Sequence, residues 1–532
     1  MIEISLNNIK KSFGFKNVLD GFNLEANTGE RIALIGNNGC GKSTVFNIIA
    51  GIENISDGVV SIRKGATIGF LNQIVPNTEN NITVENMFYD CFQEIFSVEK
   101  RMRTLENKMA LGENLDSIYK EYSRLQDKFM DMGGYVIEEK IGKIRNVFKI
   151  NDDVFYNNFN NLSGGEKTIV SLALLILKEP SILLLDEPTN HIDIDTLEWF
   201  ENFLINYKGT VIISSHDRYF LDKVVTRTVL IDKGREEVFH GNYSYYLKEN
   251  ERRTLAEFED FKNQQKQIAA MEAAIKRLKE WGRISDNPMF FRRAKAIESR
   301  LERIDKLDRP DSKKKLPLDF EVNNRSGKDV INIKNLTLEI GNKLLLDDVD
   351  LNIKYGEHVC LMGKNGTGKS TLIKEIITNN NDNIRLGSNV NIGYIPQEIR
   401  FEDDNMTILD LARKSFSGDE THLRMSLAKF MFYDDKVYKR IGKLSGGEKV
   451  RLKLFILIQE KANLLILDEP TNHIDIDTKE VLEEALLDYK GTILFISHDR
   501  YFINKVAQKI VYIEDKKLVE YLGNYDYYKS KL

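Results

Sequence analysis

At 532 residues the chain is too long for one hydrophobic core, so two or three domains are expected. Charged residues make up 30 % and hydrophobic ones 42 %, the balance of an ordinary globular protein, and a net charge of −5 argues against a wholly basic nucleic-acid binder. No apolar run reaches the roughly eighteen residues a membrane helix needs. The opening MIEISLNNIKKSF lacks an apolar signal core. Three scattered cysteines, Cys40, Cys91 and Cys360, point to a reducing cytoplasmic setting rather than a disulfide framework.

In chain order, the apolar run RIALI (31–35) reads as a buried strand and TVFNIIAGI (44–52) as a helix. Between them, GNNGCGKST has the G-x-x-x-x-G-K-[ST] spacing of a phosphate-binding loop. Gly36, Asn37, Asn38, Gly39, Cys40 and Gly41 would wrap backbone N–H groups around phosphate oxygens. Lys42 would reach the β- and γ-phosphates, Ser43 would hold Mg²⁺, and Thr44 opens the helix.

Next comes a helical pattern. Ile95, Val98, Met102, Leu105 and Met109 recur at spacings of three and four; Leu111–Asn114 breaks the run; Leu115, Ile118, Tyr122, Leu125, Phe129 and Met132 resume it. The pattern predicts an antiparallel hairpin over about 95–132, inside an insertion spanning about 90–135. LSGGEK (162–167) then opens an apolar helix, so Ser163, Gly164 and Gly165 could face a phosphate. SILLLD is a buried strand ending in Asp186, which suits a Mg²⁺ shell, and the following Glu187 is placed to polarise water. His216 follows the strand-like TVIISS, where it could serve as a γ-phosphate sensor or as a structural hydrogen-bonding histidine.

A linker, 244–327, separates this first half from the second. Leu255, Phe258, Phe261, Ile268, Met271, Ile275 and Leu278 form one helical stripe, and Phe291, Ala294, Ile297, Leu301, Ile304 and Leu307 another. GRISDNP, rich in breakers, lies between, so two long helices with a tip near 281–291 are expected. Residues 248–315 carry 19 Lys/Arg against 13 Asp/Glu, which leaves the rest of the chain at −11. At the tip, Trp281, Phe290 and Phe291 stand beside Arg283, Arg292 and Arg293, a mixture suited to unpaired bases and phosphates of RNA.

The second half rewrites the first. LDEPTNHIDIDT occupies both 185–196 and 467–478; LSGGEK, SHDRYF and GNY also recur 282 positions on. The phosphate loop recurs 327 positions on, so the first copy holds the extra hairpin. The second loop is Gly363, Lys364, Asn365, Gly366, Thr367, Gly368, Lys369, Ser370 and Thr371. Asp468, Glu469, His498 and the signature Ser445, Gly446 and Gly447 complete the set.

These motifs in this order resemble an ATP-binding cassette (ABC) ATPase, and DEPTNHID with SHDRYF resembles the F subfamily, ABC-F, of twin-cassette ATPases that act on ribosomes. The resemblance implies an α/β fold with two P-loop ABC ATPase domains, 1–243 and 328–532, joined by a long α-helical hairpin linker, with a helical arm inserted in the first. It implies ATP and Mg²⁺ as ligands, with Gln73 and Gln397 added to the metal shell. It implies head-to-tail pairing within one monomer. Site one would combine Lys42, Asp186, Glu187 and His216 with Ser445, Gly446 and Gly447; site two would combine Lys369, Asp468, Glu469 and His498 with Ser163, Gly164 and Gly165. An aromatic residue usual for adenine stacking is present as Phe13, but the equivalent position holds Ile340.

The implied partner is the ribosome, through ribosomal RNA and tRNA, with the arm near the exit site. The implied role is modulation of translation or protection from ribosome-targeting antibiotics. A membrane-transporter ATPase fits less well, because a charged hairpin fuses the cassettes and no membrane segment is present. A DNA-acting cassette ATPase also fits less well, because no coiled-coil tail follows GNY before Leu532, so no DNA is expected.

Overall fold

The computed structural model describes residues 1–37, 39–71, 82–110, 115–189, 192–285, 287–305, 307, 326–341, 343–364, 366–416, 418–472, 474 and 476–531. Asn38, Gln73, Asn365 and the hairpin break at 111–114 lie outside the described residues. Met1–His240 packs with Leu318–Leu532 as one compact unit, and Gly241–Pro317 forms another.

Continuous apolar runs become parallel strands buried on both faces, as ILLLD (Ile182–Asp186) and TVIIS (Thr210–Ser214) show. The first copy's sheet runs Ile68–Leu71, Ile182–Asp186, Thr210–Ser214, Arg31–Ile35, Arg227–Asp232 and Arg235–Phe239. All neighbours are parallel except the last pair. The second copy repeats this order with Ile392–Ile395, Leu464–Asp468, Thr492–Ile496, His358–Gly363, Lys509–Glu514 and Lys517–Tyr521. Each copy adds a three-stranded antiparallel sheet, centred on Ile2–Phe13 in the first and Asp329–Ile340 in the second. Val45, Phe46, Ile48 and Ile49 of the helix Lys42–Ile49 join Ile4, Leu6, Leu34 and Leu184 in the core of the first copy. This topology places the ends of three adjacent strands side by side, and with them the phosphate loop, Asp186–Glu187 and His216.

The inserted hairpin is present as helices Gln93–Ala110 and Leu115–Asp131. Ile95, Val98, Met102 and Leu105 bury on one helix, Ile118 and Phe129 on the other. Arg101 and Glu121 pair at 2.9 Å across it. At its exit a side chain on Gly134 would come 2.3 Å from the Phe129 ring, which explains the glycine.

The linker unit differs from the reading in two respects. Its first helix, Tyr243–Ser285, runs 43 residues, about 65 Å at about 1.5 Å per residue, straight through Trp281 and Gly282. Gly282 is no breaker: it is buried, and a Cβ there would lie 2.7 Å from the Phe291 ring. Its second helix, Pro288–Glu302, has only 15 residues and ends before Ile304 and Leu307. Asn287 caps it and Pro288 fills its first turn, where a missing N–H costs nothing. The short helix covers only the distal part of the long one, so Ile268, Ile275 and Ala294 are buried while Leu255 stays exposed. Among the described residues, no helix is long and apolar enough to cross a membrane.

Candidate active sites

Each phosphate loop turns on glycines in backbone regions closed to other residues. Gly36 has φ 149°, and a Cβ there would sit 2.6 Å from the Ile231 carbonyl oxygen. Gly41 and Gly368 adopt left-handed conformations immediately before their helices, and Gly366 has φ 75°. The lysines fold over their own loops. Lys42 Nζ donates to the carbonyl oxygens of Gly36 at 2.7 Å and Asn37 at 3.3 Å; Lys369 Nζ donates to those of Gly363 at 2.7 Å and Lys364 at 2.9 Å. Thr367 Oγ1 donates to the Lys364 carbonyl at 2.9 Å, a bracing bond in the place that Cys40 takes in the first loop.

The hydroxyl–aspartate pairs form in both copies. Ser43 Oγ donates to Asp186 Oδ2 at 2.7 Å, and Ser370 Oγ to Asp468 Oδ1 at 3.4 Å. A hydroxyl beside a carboxylate is a hard oxygen donor set, which fits Mg²⁺ shared with phosphate oxygens. Among the described residues no cluster of three His, Cys, Asp or Glu could hold an ion alone. Gln397 is exposed just beyond the end of the strand Ile392–Ile395.

Glu187 (φ 52°) and Glu469 (φ 50°) sit in the left-handed region, strain that recurs at functional sites. Their amides donate to the Ser214 and Ile496 carbonyls at 2.8 and 3.0 Å, extending the parallel ladder by one step. His216 N donates to Glu187 Oε2 at 3.1 Å, and its ring Nε2 lies 3.5 Å from Oε1. His498 repeats this against Glu469 at 3.2 and 3.4 Å. Burial drives both glutamates up to about 7, although the histidine N–H groups oppose it. Burial and the nearby Lys369 charge bring His498 down to about 4. Burial likewise lowers Lys369 and raises Asp186 and Asp468.

Two cavities lie at these groups, although Ser370, Asp468 and Glu469 are not among the residues that line them. The first, about 590 Å³, is lined by Phe13, Gly39, Gly41, Lys42, Ser43, Thr44, Asp186, Glu187 and His216, with Thr471, Asn472, Ile474 and Lys479 from the second copy. The second, about 240 Å³, is lined by Gly363, Lys364, Lys369 and His498, with Asp193, Ile194 and Asp195 from the first copy. Phe13 is half exposed, with Lys11 Nζ 5.1 Å above its ring. Ile340 is exposed and does not line the second cavity. Four tyrosines, Tyr512, Tyr521, Tyr525 and Tyr528, line it instead.

The signature residues are placed differently from the reading. Among the described residues lining the cavities, none is Ser163, Gly164, Gly165, Ser445, Gly446 or Gly447. Ser163 and Ser445 cap their own helices in closed capping boxes with Glu166 and Glu448. Ser163 Oγ donates to Glu166 Oε2 at 2.7 Å, so the hydroxyl already has an acceptor. The loops after Glu187 and Glu469 reach the opposite copy instead.

Sequence reasoning missed the residues that join the copies. Arg218 pairs with Glu483, and Arg500 with Glu201, all four buried. Arg218 also lies 3.9 Å over the Tyr501 ring and Arg500 4.4 Å over Tyr219. The signal was present in the twice-written SHDRYF and in a glutamate, Glu201 or Glu483, kept at the same register in the helix that precedes it in each copy.

The family model described as ABC transporter matches residues 19–190 and 346–472, and a second ABC transporter model matches 229–320. ABC transporter F family member 2 of Arabidopsis thaliana is 32 % identical over 544 residues, covering 99 % of this chain and 79 % of the relative. The chain belongs to the ABC-F family of ATP-binding cassette proteins. It is an ATPase with two cassettes. A Bacillus subtilis (strain 168) ATP-binding protein, YdiF, is 40 % identical to this ABC-F chain, covering 100 % of it and 83 % of the relative. The energy-dependent translational throttle protein EttA of Escherichia coli (strain K12) is 32 % identical, covering 97 % and 93 %. The fold also matches the archaeal ribosome recycling factor aABCE1, solved in complex with the stalk protein aP1, at TM-score 0.56 and 16 % identity, over 97 % of this chain and 88 % of that one.

Proposed function

We propose that this ABC-F ATPase binds the ribosome from the cytoplasm and uses paired ATP sites to modulate translation. The observation that carries the reading is that each cavity is built by both copies, so ligand in either one bears on their junction. A relative 32 % identical over nearly its whole length is named an energy-dependent translational throttle protein, which supports the ribosome as partner.

In this reading Lys42 and Lys369 hold the β- and γ-phosphates, and Phe13 stacks on adenine at site one. Ser43 with Asp186, and Ser370 with Asp468, hold Mg²⁺, which supplies neutralisation of phosphate charge when bound. Glu187 and Glu469 orient the attacking water and take up its proton. His216 and His498, fixed by their backbone bonds to those glutamates, stand where the γ-phosphate is sensed. Ser163–Gly165 and Ser445–Gly447 complete the opposite sites when the copies close, which first requires the capping serines to exchange their glutamate partners. The arm contacts the large subunit near the exit site, and the linker tip contacts ribosomal RNA or tRNA. Whether the biological outcome is translational control or antibiotic protection depends on how far the tip reaches inside the ribosome.

The test is co-sedimentation with ribosomes. The double change Glu187→Gln with Glu469→Gln should bind ATP, fail to hydrolyse it and stay on ribosomes, while the parent cycles off. Unaltered ATP turnover in the double variant, or sedimentation with neither ribosomes nor subunits, overturns the proposal. Drug susceptibility of a sensitive host with and without the chain separates the two biological outcomes.

A further inference from the structure

The duplicated stretch ends at Thr196 in the first copy and Thr478 in the second. The next residue breaks the symmetry: Leu197 in the first copy, Lys479 in the second. Lys479 lies in the first turn of the helix Ile476–Asp488 and is buried, an expensive position for an amine unless paired. It has two partners. Its Nζ lies 2.7 Å from Asp499 Oδ2, beside the switch histidine of site two. The same Nζ donates to the backbone carbonyl of His216, the switch histidine of site one, at 3.0 Å.

One amine therefore ties the two histidine loops together. The loops otherwise share their internal bonds. In each, a serine Oγ (Ser215 or Ser497) accepts from the aspartate N–H at 3.0 Å, and Asp217 or Asp499 caps the following helix. Leu197 has no donor, so it cannot make the reciprocal tie to the His498 carbonyl. The asymmetry reaches the aspartates. Burial raises Asp217, with Arg500 opposing, whereas Asp499 lies below its usual range, because Lys479 and Arg218 outweigh the burial.

We propose that Lys479 is a positioning residue that acts in trans on the first ATP site, bridging from Asp499 to the His216 carbonyl so that His216 and its partner Glu187 are held by the second copy, whereas the corresponding position facing the second site is Leu197. The inference rests on the assignment of Glu187 and His216 to ATP hydrolysis. The backbone N–H of His216 grips Glu187 while its carbonyl is gripped by Lys479. Loss of the amine loosens the glutamate's orientation and leaves phosphate binding by Lys42 untouched. The loss belongs in kcat rather than KM.

The experiment measures each site separately in the full chain. Glu469→Gln leaves site one as the hydrolysing site, and Glu187→Gln leaves site two. Adding Lys479→Met to each should lower site-one kcat by at least about fivefold, the range expected for losing a charge-assisted hydrogen bond. KM for ATP should stay within about twofold, and site two should change by less than half as much. Lys479→Arg, which keeps charge and donor, should restore most of the site-one rate. An equal loss at both sites, no loss at either, or an arginine variant as poor as the methionine one overturns the proposal. If Lys479→Met fails to fold, Lys479→Gln is measured with the same ratio deciding. Hydrolysis persisting in the double glutamine variant would instead overturn the site assignment itself, whatever Lys479 does.

Discussion

The guanidinium of Arg218 and the carboxylate of Glu483, 265 positions apart in the chain, meet as a two-pronged ion pair at the junction of the two copies, at 2 % and 0 % exposure. Arg500 and Glu201 pair in reverse through one nitrogen, Nη2, with Asp217 Oδ2 3.6 Å from the same guanidinium. Two equivalent contacts related by exchange of the copies define a pseudo-twofold junction, with the ATP cavities close to it. Glu483 also receives Lys505 at 2.9 Å, and Glu201 receives Lys223 at 3.3 Å, so each carboxylate neutralises cations from both copies.

Glu483→Ala should therefore destabilise the chain by about 3–5 kcal/mol, because it leaves the Arg218 charge buried without its partner. Urea unfolding followed by tryptophan fluorescence and circular dichroism measures it. A change below about 1 kcal/mol would mean that the guanidinium finds water or another acceptor at the junction.

Activity should depend on pH through the glutamates. Both titrate at about 7, and only the carboxylate form can take a proton from water. Lowering pH protonates them, so kcat should fall about tenfold between about pH 8 and about pH 6 and level off above about pH 8. His498, near 4, stays neutral throughout and adds no step of its own. A flat profile across that window contradicts the assignment of either glutamate as the base.

The two ATP sites should differ in affinity. Phe13 lines the first cavity, and Ile340 does not line the second. Phe13→Ala should weaken ATP at site one by less than about tenfold, the worth of one aromatic stack. Ile340→Ala should change site two little. Titrations in Lys369→Ala and Lys42→Ala backgrounds isolate each site, and equal effects would show that adenine is held without Phe13.

The linker tip supplies the last prediction. Trp281 is half exposed, edge-on to Phe290 at 6.1 Å, with the Arg277 guanidinium 5.5 Å over its ring. Arg283, Arg292 and Arg293 of the same hairpin are exposed. Replacing the three arginines by alanine should weaken ribosome binding and flatten its salt dependence, since phosphate contacts carry that dependence. Trp281→Ala should reduce the effect on translation while sparing basal ATPase, because no described linker residue lines either cavity. Parent-like sedimentation and parent-like translation in both variants would reduce the tip to a solvated hairpin end.

The sequence by itself determined the two phosphate loops, the strand-end Asp186–Glu187 and Asp468–Glu469 pairs, and the inserted hairpin. Each is encoded by neighbouring residues, through glycine torsions, unbroken apolar runs or a helical period, and such signals survive without knowledge of any partner. The same locality explains the differences. Gly282 has the composition of a breaker, yet only the Phe291 ring packed against it explains why the helix continues. The signature serines face a phosphate by motif, yet a glutamate three residues on claims them first. The tertiary structure alone decided which groups of one copy serve the other. Arg218 finds Glu483 across 265 positions, and Lys479 finds the His216 carbonyl across 263. Periodicity and spacing carry no information about a contact made when two separately folded sheets meet, because its energy comes from mutual burial and charge pairing that exist only once both surfaces are formed.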